Sequence, residues 1–247
     1  MVRRNTPSEI ARQVSALTFD TGGTVFDWHG GIAAAFGRIG TASGISADWP
    51  ALTKQWRRRS TDWVNEGLPT DGGRATLDMD DVLRKTLDQV LQDNRVDLPE
   101  PARVQLVRAW RELDAWPDVK SALPRLRERF VVTPFTILNT ELVISASRRA
   151  KLSWDCIISC EMIGIYKTLP GSYATAARWL GKKHENILMV TTHNNDLRAA
   201  HENGFKTAFV YRRREWAEIP QPSPEPDPVA DIVAEDFSDL ANQLGCD

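Results

Sequence analysis

Apolar positions along this chain fall into a few short runs, separated by longer stretches in which they recur every three or four residues. The runs Val14–Asp20, Phe130–Thr136, Cys156–Ser159, Asn186–Thr192, Thr207–Tyr211 and Asp231–Ala234 predict strands. Pro134 is awkward inside the second run, because proline offers no ladder donor. Helical spacing covers Leu142–Ala150, Gly171–Gly181 and Asp196–Asn203, and Gly204 is a natural stop for the last of these. Strands alternating with helices predict an α/β core, a parallel sheet covered on both faces.

One gap breaks the alternation. About 105 residues separate the first strand from the second, far more than one crossover helix needs. They predict helices over Gly31–Thr41, Asp48–Asn65, Leu77–Gln92 and Glu100–Glu112, with no strand pattern. The chain therefore divides into a core, 14–28 with 113–247, and a helical insertion, 29–112, placed to sit over the loop after the first strand. Residues 1–13 are polar and read as a frayed leader. The proline-rich stretch Ile219–Pro228 reads as a stiff, extended connection across the surface.

Composition narrows the function classes. With 42% apolar and 26% charged residues the chain is an ordinary globular one, and a net charge of −2 gives no basic footprint for nucleic acid or a membrane surface. No apolar run approaches the ~20 residues of a membrane span, and no signal-peptide pattern opens the chain. Three cysteines, Cys156, Cys160 and Cys246, are too few for a disulfide framework, and the Cys156–Cys160 pair lacks a second pair of metal ligands. A cytoplasmic location is the default expectation. Nine tryptophans stand out, five of them (Trp49, Trp56, Trp63, Trp110, Trp116) in or beside the insertion, where they pack the cap or line an apolar pocket.

The chemistry gathers at strand exits, where open α/β sheets bind their ligands. The segment Ala16-Leu-Thr-Phe-Asp-Thr-Gly-Gly-Thr-Val-Phe-Asp-Trp28 stops an apolar run on Asp20 and follows it with a glycine pair and Thr24. The second run ends at Thr136, with Asn139 just beyond. Ile165-Tyr-Lys167 follows the third, and Thr191-Thr-His-Asn-Asn-Asp196 follows the fourth. A carboxylate, a hydroxyl, a lysine and a second carboxylate at successive exits suit covalent catalysis.

In this order the segments Phe19–Trp28, Gln55-Trp-Arg57, Asp114-Ala-Trp-Pro-Asp118, Ile165-Tyr-Lys167 and Val190–Asp196 resemble the haloacid dehalogenase superfamily, and within it the type II 2-haloacid dehalogenases. The resemblance spans nearly all of residues 14–245. It implies a Rossmann-like three-layer core with an inserted helical cap, and hydrolysis of a short 2-haloacid to a 2-hydroxyacid and halide through an ester on Asp20. It matches Lys167 to the lysine that keeps the nucleophile ionised, and Asp196 to the acid that holds the lysine and helps position water. Thr24 matches the threonine that ties down the nucleophile loop, and Thr136 keeps the second-motif hydroxyl. Arg57 matches an arginine reaching from the cap toward the halide or the substrate carboxylate. Ile137, Asn139, Tyr173, His193 and Asn194 fall where that family lines its site. No metal and no organic cofactor is implied, the partner is a small-molecule substrate, and a homodimer is a common family arrangement.

Two departures bear on substrate choice. Gly22 stands where the family places a bulky aromatic, and Ile137 replaces an asparagine that donates to substrate or halide, which together predict a wider, less polar pocket. Gly22 also stands where phosphatases of the superfamily carry their acid, and Thr192 where they carry an additional metal-binding acid, so the oxygen cage for Mg²⁺ is depleted. Another hydrolase of the same fold, such as a small-metabolite phosphatase, and a non-enzymatic binding protein remain as alternatives.

Overall fold

Strand β1 (Ala16–Phe19) is buried on both faces along its whole length, which requires neighbours on either side and helices above and below. The structure, a computed structural model, describes residues 6–71, 74–217 and 225–246. Ahead of β1, α1 (Pro7–Gln13) is a helix with a reciprocal capping box between Thr6 and Glu9, and Ile10 and Ala11 are buried in the main core. Most of the stretch that reads as a frayed leader is therefore part of the fold. Two apolar side chains in a short polar segment are too faint a pattern to announce it.

Past β1 the chain turns back on itself. Val25 and Phe26 donate to the Thr21 carbonyl, and Gly23 adopts a φ of 102°, open to glycine at no steric cost. Residues 25–27 then run beside 114–116: Asp27 donates to the Asp114 carbonyl and Trp116 to that of Val25. The helical unit leaves and re-enters through this two-stranded neck. It comprises α2 (Trp28–Ala42), α3 (Trp49–Glu66), α4 (Met79–Asp93) and α5 (Glu100–Ala109), closed by the 3₁₀ turn Trp110–Glu112. Aspartates 27, 48 and 78 cap the first three of these helices with side-chain bonds. Phe36, Trp56 and Trp110 meet edge to face inside it, at centroid separations of 5.7 Å for both pairs. A short ribbon of β2 (Thr70–Asp71) and β3 (Arg74–Ala75) lies between α3 and α4, in a region predicted to hold no strand. Two-residue strands carry no detectable alternation.

The core resumes with α6 (Pro117–Arg129), which the sequence reading missed. Its buried residues Val119, Ala122, Leu123 and Leu126 keep helical spacing, but Pro124 in the interior argues against a helix on propensity alone. Then come β4 (Val131–Thr136), α7 (Thr140–Ala150), β5 (Ile158–Ser159) and α8 (Cys160–Ile163). They are followed by α9 (Ser172–Leu180), β6 (Ile187–Thr191), α10 (Asn194–Glu202), β7 (Lys206–Val210), β8 (Ile232–Ala234) and α11 (Phe237–Gln243). The six core strands form one parallel sheet in the order β5-β4-β1-β6-β7-β8, as the alternation predicts. Pro134 is tolerated in an interior strand for a local reason. Val132, with the same parity, exchanges its hydrogen bonds with Asp155, so Pro134 points its missing donor toward β5, whose two residues pair only with Phe135 and Thr136.

The chain proceeds from β1 outward to β4 and β5 on one side and to β6, β7 and β8 on the other. The reversal of direction at β1 opens a crevice at its carboxyl end. Most of the proline-rich stretch lies outside the described residues. Its last part is tied down by Asn194, which donates to the Glu225 carbonyl and accepts from the Asp227 amide. No disulfide joins the three cysteines, and among the described residues no helix is long and apolar enough to cross a membrane. Replacing Ile10 with Ala is expected to cost about 2–5 kcal/mol in urea unfolding, whereas a change near zero would return α1 to the status of a leader.

Candidate active site

Asp20 follows the last residue of β1, and its amide still pairs with the Val190 carbonyl of β6, so its backbone belongs to the sheet while its side chain faces the crevice. The carboxylate is buried. Its Oδ2 accepts from Thr24 Oγ1 at 2.8 Å and lies 3.2 Å from His193 Nδ1, while among the described residues Oδ1 faces only Lys167 Nζ, at 3.4 Å. Thr24 in turn accepts from the Thr192 amide at 3.1 Å, stitching the exits of β1 and β6 together.

Lys167 is buried between two acids. Its ammonium donates to Asp196 Oδ2 at 2.7 Å, and lies 4.9 Å from the centre of the Phe135 ring. Asp196 sits in the first turn of α10, where the helix dipole favours a negative side chain, and its other oxygen accepts from Tyr173 OH at 2.5 Å. Tyr173 therefore acts on the site through Asp196, from a position behind it.

A further chain of contacts runs from the expected His193 to Glu215, which had no signal in the sequence reading. His193 stands between two carboxylates: Nδ1 faces Asp20, and Nε2 is 2.9 Å from Glu215 Oε1. The same Glu215 oxygen accepts from Trp28 Nε1 at 3.0 Å. Glu215 lies beyond β7 in Tyr211-Arg-Arg-Arg-Glu-Trp216, a charge run that reads as solvated surface, yet it is buried. Gly23 makes room for it, since a Cβ there would come within 2.2 Å of Oε1.

Arg57 descends from α3. One guanidinium nitrogen donates to the Gly22 carbonyl at 3.2 Å, and the group lies 5.5 Å from the Trp28 ring and 5.8 Å from that of Trp110. Its Nη1 is buried and, among the described residues, has no hydrogen-bond partner. A Cβ on Gly22 would lie 3.1 Å from the guanidinium. The space a wall residue would take at position 22 is thus occupied by the arginine, and the pocket is narrower there than the sequence reading expects.

Asp20, Arg57, Ile137, Lys167, His193 and Asp196 line one cavity of about 240 Å³, joined by Glu215 and Trp216 and by Arg58 at its rim. Asn195 lines it also, whereas Asn194 is turned to the 225–227 segment. Asn139 caps α7 by accepting from the Leu142 amide, and Thr136 bonds to Thr21 Oγ1 at 2.6 Å, so both brace the loops around the site.

Burial by itself raises the Asp20 carboxyl, but the Lys167 ammonium and the His193 contact outweigh it and hold Asp20 well below the usual carboxylate range. Burial likewise opposes charge on Lys167, and the two aspartates overcome it and raise its pKa. For His193, Glu215 and Asp20 outweigh burial and push it up to about 10, and Glu215 is held low mainly by His193 against its own burial. The resting site therefore sets Asp20, Asp196 and Glu215 against Lys167, Arg57 and a His193 imidazolium that donates from both ring nitrogens. Burial is the largest influence on Arg57 and lowers it, opposed by Glu215 and Asp20. A metal is poorly matched to this set. The lysine ammonium stands between the two aspartates, and among the described residues no group of three or more acidic, histidine or cysteine side chains is placed to hold an ion.

The model of a family described as haloacid dehalogenase-like hydrolase matches residues 14–204. A solved defluorinating L-2-haloacid dehalogenase is 32% identical and superposes with a TM-score of 0.87, covering 98% of both chains. A second solved L-2-haloacid dehalogenase is 26% identical, with a TM-score of 0.85 over 94% of this chain and 98% of that one. The (S)-2-haloacid dehalogenase 4A of Burkholderia cepacia is 25% identical over 203 residues, which span 80% of this chain and 83% of that protein.

The imidazolium has a thermodynamic signature. His193 holds its proton up to about 10 when folded, against 6.5 ordinarily. The stability it contributes is complete below the lower value and is lost as pH rises through the higher one. Urea unfolding of the wild type is expected to weaken across that window relative to His193→Gln, and parallel pH profiles would contradict the doubly bonded imidazolium.

Proposed function

The chain belongs to the haloacid dehalogenase-like hydrolases, and we propose that it removes halide from short 2-haloacids by hydrolysis, through a covalent ester on Asp20. The observation that carries this reading is the buried carboxylate with one oxygen anchored and the other left open. Thr24 and His193 fix Oδ2, while among the described residues Oδ1 keeps only the longer contact to Lys167. Oδ1 is therefore the oxygen that attacks C2 of the substrate, forming a C–O bond as the carbon–halogen bond breaks and the halide departs with its electron pair. Water then adds to the ester carbonyl, and the 2-hydroxyacid leaves.

Lys167 keeps Asp20 ionised for the first step, and Asp196 and Tyr173 keep Lys167 in place. Arg57, with Nη1 otherwise unpaired among the described residues, is a suitable partner for the departing halide or the substrate carboxylate. Ile137 and Trp216 give the short alkyl portion an apolar wall. A halide leaves without being protonated, so the missing acid at Gly22 costs this reaction nothing, whereas a phosphatase would lack both that acid and its cation site. The reading needs no metal and no organic cofactor. The three relatives described above are named as 2-haloacid dehalogenases, and a small acid anion fits a cavity of about 240 Å³. Cysteines without disulfides fit a cytoplasmic setting.

The test is halide release from chloroacetate, fluoroacetate and both enantiomers of 2-chloropropionate in the presence of EDTA. Release is expected to survive the chelator and to fall at least ~10⁴-fold in Asp20→Asn. A single turnover in heavy-oxygen water is expected to place the label in Asp20. Label found only in the hydroxyacid would sink the ester route, and no release from any of these acids would sink the substrate class.

A further inference from the structure

We infer that His193, held by Glu215, is the base that delivers water to the Asp20 ester, and that esterification itself is what releases it for this task. The inference rests on the ester reading of the site. It starts from what each candidate base is already doing. Asp196 has both oxygens committed, one to Lys167 at 2.7 Å and the other to Tyr173 at 2.5 Å. Lys167 is a buried ammonium between two acids and offers no lone pair. His193 is placed differently. Its Nδ1 lies 3.2 Å from the carboxyl group whose carbon the water must reach, and its side chain is 28% exposed, against 9% for that of Asp20. Solvent meets the ring and the carboxyl group in the same cavity.

In the resting site His193 is a cation because two carboxylates face it. The charged groups around it are Asp20 from the exit of β1, Glu215 from beyond β7, Lys167 from the loop before α9, Asp196 on α10 and Arg57 on α3, with Arg58 and Asp62 at the rim. Alkylation converts Asp20 to a neutral ester and removes one of the two facing charges. The imidazolium then loses its Nδ1 proton to solvent through the open side of the cavity, and this is the one proton that hydrolysis of a haloacid must liberate. Neutral His193 next takes a proton from water as the water oxygen bonds to Cγ of Asp20. The tetrahedral adduct collapses by breaking the Cγ–O bond to the substrate oxygen, which takes the proton from His193. The second water proton remains on the Asp20 carboxyl and passes to Nδ1, restoring the carboxylate and the imidazolium. Atoms and charge balance over the cycle, one haloacid and one water giving one hydroxyacid, one halide and one proton.

Glu215 is a positioning residue in this scheme. Its Oε1 accepts from both His193 Nε2 and Trp28 Nε1, which fixes the ring with Nδ1 toward the ester, and its charge sets how readily that proton leaves. Gly23 is the device that admits it, since any side chain there would strike the carboxylate.

Rapid-quench single turnovers with chloroacetate test this, with halide and intact protein mass read together. His193→Gln is expected to release about one halide per site and then hold the adduct on Asp20, its hydrolysis slowed at least ~100-fold. Glu215→Gln is expected to keep hydrolysing, with the alkaline rise of that step displaced to lower pH, a change that a purely structural role would not produce. If the histidine variant is poorly folded, the Glu215→Gln profile decides alone. An adduct cleared by His193→Gln at the wild-type rate, or an unmoved Glu215→Gln profile, would overturn the inference while leaving the ester intact. A wild type that releases halide without placing heavy oxygen in Asp20 would overturn both.

Discussion

A buried ammonium between two buried carboxylates is the constraint around which the rest of this site is arranged. Taking Asp20, Lys167 and Asp196 out of water is costly for each ion, and their mutual contact, completed by Thr24, Tyr173 and His193, offsets it. Removing one partner of such a group typically costs about 3–5 kcal/mol, because the remaining charge is left without a counterion. Stability and reactivity are therefore not separable here. The cation that makes Asp20 affordable in the interior is the one that keeps it ionised. His193, between Asp20 and the buried Glu215, repeats the arrangement with a cation that is itself partly exposed.

The two glycines after Asp20 serve different neighbours. Gly22 leaves its carbonyl and the volume beside it to Arg57, and Gly23 leaves room for Glu215 while taking a backbone conformation that other residues resist. The loop admits one cation beside Gly22 and one anion beside Gly23. Its lack of side chains is what allows two distant elements, α3 and the segment after β7, to converge on it.

Much of the core was legible because it obeys strong periodicities. Fully buried parallel strands read as apolar runs, and Asp20, Lys167 and Asp196 could be grouped because strand exits gather at one edge, while the parts expected of them came from the family resemblance. What was missed lacks a local signature. Glu215 is an acid in an arginine-rich run, and nothing in its neighbours says that it turns inward. Helix α6 hides behind Pro124, and α1 shows only two buried side chains. Asn139 and Asn194 carry the residue type expected of a binding group, yet each satisfies backbone groups nearby, the commonest occupation of asparagine at a helix start or loop. Residue type narrows the chemistry, and only the surrounding backbone decides which asparagine reaches the cavity.

The neck at residues 25–27 and 114–116 has a consequence for how this architecture tolerates change. Because the two ends of the helical unit are already hydrogen-bonded side by side, the sheet experiences it as a closed loop. Closing such a loop costs only about 0.6 kcal/mol more for each doubling of its length. The core is accordingly almost indifferent to the size of what hangs from the neck, and the helices above it are free to be lengthened, trimmed or exchanged as a cassette. The exceptions are the stretch of α3 that carries Arg57 over Gly22, the start of α2 whose Trp28 holds Glu215, and the few contacts such as Ala75 with Gly164 and Arg111 with Glu141 that tie the unit to the core.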